Sequence, residues 1–163
     1  MRASETPVLC PIPPGLVAPG ADGAEFVPLL ALGDLAPGTM RRVSFGDLDV
    51  LVAATDAGIV VTDDRCPHMS APLSLGTLDG CAVACVLHRG TFDLATGETV
   101  TFPTTGGLDA DGVSHAPWNP ADTGPKPEPS ASKASARALT RTRRLRFYPT
   151  RVEGGVLEAR IPR

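Results

Sequence analysis

The chain has 163 residues, 42% hydrophobic but only 4% aromatic, with seventeen Gly and seventeen Pro. That size suits one domain with a modest, mainly aliphatic core, and the frequent breakers favour short strands and turns over long helices. Ten Lys/Arg and three Asp/Glu lie from Lys126 onward, so a body of about −10 precedes a tail of about +7, and the acidic body argues against a nucleic-acid surface.

Residues 1–24 read as a flexible Pro/Gly-rich lead. Pro7, Pro11, Pro13 and Pro14 interrupt any apolar run, so no secretory signal is expected, and Arg41–Arg42 lies too deep for a twin-arginine signal. No stretch reaches membrane-spanning length, so a cytoplasmic protein without membrane attachment is the expectation. Phe26–Leu32 then predicts a first strand. Met40–Phe45 and Leu48–Ala54 predict a hairpin turning at Gly46–Asp47, and Gly58–Thr62 continues the sheet. Cys81–Cys85 is another short apolar run. Thr91–Asp93 and Glu98–Phe102 flank the turn Ala95–Thr96–Gly97, and Leu145–Val152 pairs with Val156–Ile161 around Glu153–Gly154–Gly155. The fold class is all-β and antiparallel: one domain over 25–161, interrupted by an insertion at 106–143. That insertion is rich in Gly, Pro, Ser, Ala and Asp. It is expected to be disordered over 119–136, with a helical turn or two at most within Lys133–Arg144.

Chemistry concentrates in two pairs, Cys66-Pro67-His68 and Cys85-Val86-Leu87-His88, separated by sixteen residues. Two of the chain's three histidines and two of its four cysteines sit there. In a reducing compartment, cysteines in such pairs point to a metal before a disulfide framework. Thiolate suits iron in a sulfide-bridged cluster, and neutral imidazole suits a second iron. Two ferric ions, two sulfides and two thiolates sum to zero charge, so an added electron costs less than in an all-thiolate centre. Reduction would in turn raise the imidazole pKa. Pro72, Gly76 and Asp79–Gly80 let the spacer reverse and bring the pairs together. A Cys₂His₂ zinc site is the alternative that the donor set also permits.

The run CPHMSAPLSLGTLDGCAVACVLHRGTFDLATGE resembles the cluster-binding segment of Rieske-type ferredoxins. There Cys-x-His is followed after some sixteen or seventeen residues by Cys-x-x-His, then by Phe-Asp and a Thr-Gly turn. Phe92–Asp93 and Thr96–Gly97 match those flanks, and the YPTRVEGG hairpin is also family-like. The resemblance implies an antiparallel β-sandwich or barrel with a small inserted subdomain of two ligand loops. It further implies one [2Fe–2S] cluster on Cys66, His68, Cys85 and His88.

Three departures carry information. High-potential relatives have an extra disulfide between the ligand loops; Met69, Ser70, Ala71, Val86 and Leu87 leave none here. They also place Ser and Tyr donors to cluster sulfur where this chain has Gly90 and Phe92. Both losses lower the potential, toward about −150 mV. The third departure is the insertion itself.

A free one-electron carrier is therefore expected, monomeric, fed by a flavin-dependent reductase and serving a terminal oxygenase. No G-x-G-x-x-G dinucleotide fingerprint is present, so the reductase must be separate. The chain is not expected to be an oxygenase by itself, because a two-His, one-carboxylate iron site needs two further histidines and only His115 is left. A subunit bound permanently in a larger oxidoreductase is the alternative. Cys10 reads as an unpaired thiol, Cys81 as a small core residue, and His115 as a surface side chain that could anchor a partner together with Trp118. Pro72 and Leu73 are expected to shield the cluster, and Arg89 to be solvated. Asp47, Asp63, Asp64 and Asp79 are expected to steer a basic partner.

Overall fold

A computed structural model describes residues 7–163. The hairpin prediction holds at its turn. β2 (Met40–Phe45) and β3 (Leu48–Thr55) pair antiparallel with Phe45 opposite Leu48, and Gly46 takes a φ of +60°, which suits glycine. β4 (Gly58–Asp63) completes this three-stranded sheet on the other side of β3. A second sheet places β12 (Val156–Arg160) between β1 (Phe26–Ala31) and β11 (Thr150–Glu153). The third runs β5 (Thr77–Asp79), β6 (Ala82–Ala84), β7 (Thr91–Asp93), β8 (Thr99–Thr101) in chain order.

β3 and β4 form the shared wall. Side chains alternate across a strand, and both faces of these two are covered. Val50, Val52, Ile59 and Val61 face one core with Val27, Leu157, Ala159 and Ile161. Leu51, Ala53 and Val60 face the other, with Val83, Phe92, Leu94, Phe147 and the two cysteines Cys66 and Cys85. A near-continuous apolar run in β3 is what burial on both sides requires. The second core is the one that positions the candidate donors.

Several expectations are corrected. The part of the lead that lies within the described residues is packed, not loose. Leu9 bridges Ile59, Val17 bridges Phe147, and Ala18 and Ala21 lie in the first core. Proline keeps this segment out of regular strands but leaves its carbonyls and its other N–H groups free to pair. Residues 1–6 of the lead lie outside the described residues. The last hairpin is shorter than expected on its first side: Leu145–Pro149 precedes β11, and Phe147 is held by isolated bridges to Val17 and Thr62.

The insertion is also ordered into elements. β9 (Gly107–Leu108) pairs with β10 (Ser114–His115), and α1 spans Ala131–Leu139. Residues 119–129 carry no regular helix or strand, so the expected disorder over 119–136 gives way to a path that ends in a helix. The Ser130 side chain caps α1 by accepting from the Lys133 N–H. The helix buries no residue. It is fixed at its end by Leu108 N–H donating to Thr140 O at 2.9 Å and Thr142 N–H to Leu108 O at 2.7 Å. Polar backbone tethers of this kind leave no apolar periodicity in the sequence. No helix among the described residues is long and apolar enough to cross a membrane.

Candidate metal centre

The two Cys/His pairs sit on two loops with the same backbone closure. In the first, Cys66 N–H donates to Ala71 O at 2.7 Å; in the second, Cys85 N–H donates to Gly90 O at 2.9 Å. Both bonds span five residues. Both loops turn on a non-glycine residue in the left-handed region four positions after the cysteine, Ser70 at φ +63° and Arg89 at φ +55°. Such a residue costs on the order of 1 kcal/mol, so the loops are held by their surroundings.

The donors meet as like pairs. The Cys66 and Cys85 thiols lie close enough for each to shift the other's ionisation, and neither is in a disulfide. The His68 and His88 rings lie 5.0 Å apart, edge to face at 86°. Backbone N–H groups of His68 and Met69 point at the Cys66 sulfur, and those of Leu87 and His88 at the Cys85 sulfur. The sulfur pair shares its protons unevenly. The neighbouring Cys66 and the two backbone N–H groups pull Cys85 down to about 6. The neighbouring Cys85 and then burial push Cys66 well up. The pair thus loses its first proton early and its second late. Burial, with His88 nearby, lowers His68 to about 4, keeping the imidazole neutral.

Supporting side chains come from far along the chain. Asp64, its side chain fully buried, accepts from Ser74 N–H at 2.7 Å and from Ser74 Oγ–H at 2.6 Å. It thereby ties the entry of the first loop to its exit. Arg42 lies 3.5 Å from the same carboxylate. Thr105 Oγ1 lies 3.3 Å from His68 Nε2, and Thr104 N–H donates to His88 O at 2.8 Å. These partners were not read from the sequence. Thr105 stands 37 positions from His68, and a single Thr beside a Gly-rich stretch carries no signal of its own. Asp64 had one weak signal, its place two residues before a paired cysteine.

The other expected residues divide. Leu73 is fully buried under the first loop, as a shield would be, while Pro72 is half-buried. Arg89 is not simply solvated; it pairs with Asp122 at 2.6 Å. His115 is half-buried, stacked on Phe102 at 4.1 Å and bonded to Asp109 at 2.9 Å. Cys10 and Cys81 are free and half-buried, close enough that Cys81 and Asp93 add to the burial raising the Cys10 thiol. Asp63 and Asp64 are not a steering surface. Asp63 accepts from the Tyr148 hydroxyl, and Asp64 is buried.

No side-chain donor stands at Gly90. A Cβ there would meet Phe92 Cζ at 3.0 Å and Pro103 Cγ at 3.2 Å, so even serine would not fit without movement. Soft sulfur in one pair and neutral imidazole in the other, in apolar surroundings, is a donor set that fits a centre with two irons of unlike ligation. The model of the Rieske [2Fe-2S] domain family matches residues 25–112.

The chain belongs to the Rieske [2Fe-2S] domain family. Its cofactor is one Rieske-type [2Fe-2S] cluster. This Rieske domain is 37% identical over 81 residues to ferredoxin CarAc of Metapseudomonas resinovorans, covering 49% of this chain and 76% of that protein. It is 32% identical over 81 residues to the ferredoxin component of the naphthalene 1,2-dioxygenase system of Pseudomonas putida, covering 50% and 78% respectively. The solved Sphingomonas yanoikuyae B1 ferredoxin shares the fold, with a TM-score of 0.56 at 22% identity over 85% of this chain and all of that one. The family match ends at residue 112, so most of the insertion lies beyond it.

Proposed function

We propose that Cys66 and Cys85 hold one iron of the cluster, that His68 and His88 hold the other, and that the protein is a one-electron carrier serving a terminal oxygenase. The observation that carries this is the like-with-like pairing, sulfur with sulfur and imidazole with imidazole, on two loops of the same backbone form. A single zinc ion would need all four donors round one point. Among the described residues no three such side chains are gathered closely enough to hold one ion. With Thr105 on His68 Nε2, the Nδ1 atom is the one left to bind metal. The relative named as the ferredoxin component of the naphthalene 1,2-dioxygenase system, and the one named as a ferredoxin, support the carrier role.

When bound, the cluster takes up and releases one electron. The chain's own groups set how readily. Four backbone N–H groups stabilise negative charge on the sulfurs, while the second core excludes water from them. Gly90 and Phe92 add no side-chain hydrogen bond, which keeps the potential near the low end of the Rieske range, about −150 mV. Met69, Val86 and Leu87 stand exposed at the loop tips and offer a small apolar contact, suited to a brief encounter. A separate flavin-dependent reductase, a monomeric state and a cytoplasmic location complete the proposal.

EPR of the dithionite-reduced protein tests it. The expected spectrum has a lower average g than an all-cysteine cluster. His68→Cys and His88→Cys should each lower the potential or lose the cluster. An unchanged spectrum and potential in both variants would overturn the ligand assignment, and a colourless, iron-free protein would overturn electron carriage.

A further inference from the structure

Beyond the family match, the insertion folds back over the second ligand loop. Trp118 N–H donates to Thr104 O at 3.0 Å, and its indole N–H to Phe102 O at 2.8 Å. Asp122 pairs with Arg89, the residue next to His88. These contacts enclose a cleft of about 570 Å³ between the insertion, α1 and the second loop. Leu87, His88, Trp118, Lys126, Glu128 and Arg137 are among its lining.

Three features of this cleft point the same way. Lys126 and Arg137 have no carboxylate partner among the described residues, since every ion pair found there involves other side chains. Both line the cleft together with His88, and Glu128 lines it too. The exposed face of Leu87 joins the cleft to the apolar loop tip. The volume lies in the range of a site that takes a few side chains, not a folded domain. Residues 1–125 carry about −10 by formal charge, so a negatively charged visitor gains most where the cations of the tail lie, and Lys126 and Arg137 are two of them.

We infer that the insertion builds a cationic docking cleft beside His88, and that its occupant is an acidic surface segment of the electron-transfer partner. This rests on the carrier reading above, and it replaces the expectation of a basic partner with the opposite sign at the site. Arg137 and Lys126 meet the carboxylates, Trp118 provides a fixed aromatic wall, and the segment's approach brings the partner to the half-exposed edge of His88.

Trp118 is the only tryptophan of the chain, so its fluorescence reports on the cleft. The cluster-loaded protein is titrated with a hexaglutamate peptide at low salt, with hexalysine as the control. Hexaglutamate should give a saturable change that weakens as salt is added, and hexalysine should give none. The Lys126→Glu/Arg137→Glu variant should bind hexaglutamate about tenfold more weakly with its visible absorption unchanged. Lys126→Gln should fall between. In a second measurement the dithionite-reduced protein is reoxidised by ferricyanide, which takes one electron and becomes ferrocyanide. That rate should drop in the charge-reversed variant, while oxidation by cationic hexaammineruthenium(III) should rise. Equal hexaglutamate affinity in wild type and variant overturns the proposal, as does an equal response to hexalysine. Free glutamate saturating at the same concentration as the peptide would make the cleft a small-anion site and overturn docking. The carrier reading fails separately: it falls if the wild-type protein holds no cluster, whatever the peptide does.

Discussion

The two ligand loops close with the same hydrogen bond and turn on the same kind of left-handed residue, yet they place their histidines differently. In the first the imidazole is two residues after the cysteine, and His68 ends up buried, its outer nitrogen against Thr105. In the second it is three residues after, and His88 remains half-exposed beside the cationic cleft. One added residue between donors thus separates a sheltered imidazole from one open to a partner. Equivalent backbones close the two loops, and the spacing makes the nitrogens unequal. With both imidazoles on the cluster as proposed, the inequality would give electron transfer a preferred side, which two equally exposed imidazoles would not provide.

The largest effect should come where the loops are equal. Cys66→Ser and Cys85→Ser should each abolish the visible cluster absorption, because on the proposed assignment either change removes one of the two thiolates holding the same iron; a loop that tolerated the change would break the equivalence.

Next comes the packing between the loops. A Cβ at Gly76 would sit 1.9 Å from Ala84 O, the carbonyl just before Cys85. Gly76→Ala must therefore push the second loop's approach strand out of place. A loss of roughly 2 kcal/mol or more is expected, read from the urea midpoint.

The sulfur pair predicts a smaller, pH-dependent term in the metal-free protein. Cys85 is held below the ordinary thiol pKa of about 8.5, so its contribution is present above that value and lost as pH falls through about 6. Cys66 is held above it, so its contribution is present below the ordinary value and declines as pH rises past it. Together they place a stability maximum for the metal-free protein near the ordinary thiol pKa. Urea midpoints measured from pH 5 to 10 would show it, and a curve flat between pH about 6 and about 8.5 would contradict the shared proton.

The smallest effect should sharpen the histidine comparison. Thr105→Val removes the hydroxyl facing His68 and leaves His88 untouched. Where Nδ1 binds metal, Nε2 carries the proton and donates to Thr105, making the imidazole a stronger electron donor. Losing that bond should raise the midpoint potential by a few tens of millivolts, on the order of a hydrogen bond of about 1 kcal/mol shared between two oxidation states. A drop in potential would mean that the hydroxyl acts otherwise.

Much of this was legible in the chain. Gly46–Asp47, Gly97 and Gly154–Gly155 announced their turns because a left-handed backbone selects glycine locally. The Cys-x-His and Cys-x-x-His pairs were legible because each lies on one tight loop, within a few residues of sequence. β5 was passed over, since three residues with a single apolar position make no strand signal; its pairing with β6 is what makes it one. The insertion was misread for a related reason. Its composition lacks a core of its own, and it is ordered instead by backbone bonds and by Arg89–Asp122, whose partners lie elsewhere in the chain.

What the amino-acid order determined alone was therefore the alternation of strand and turn and the two Cys/His pairs proposed as donors, all set by neighbours within a few residues. Only tertiary structure decided which acids are buried, which imidazole is capped by Thr105, and where the cations of the basic tail come to lie. Burial and charge at a point depend on what the folded chain brings there from a distance, and no local pattern encodes that.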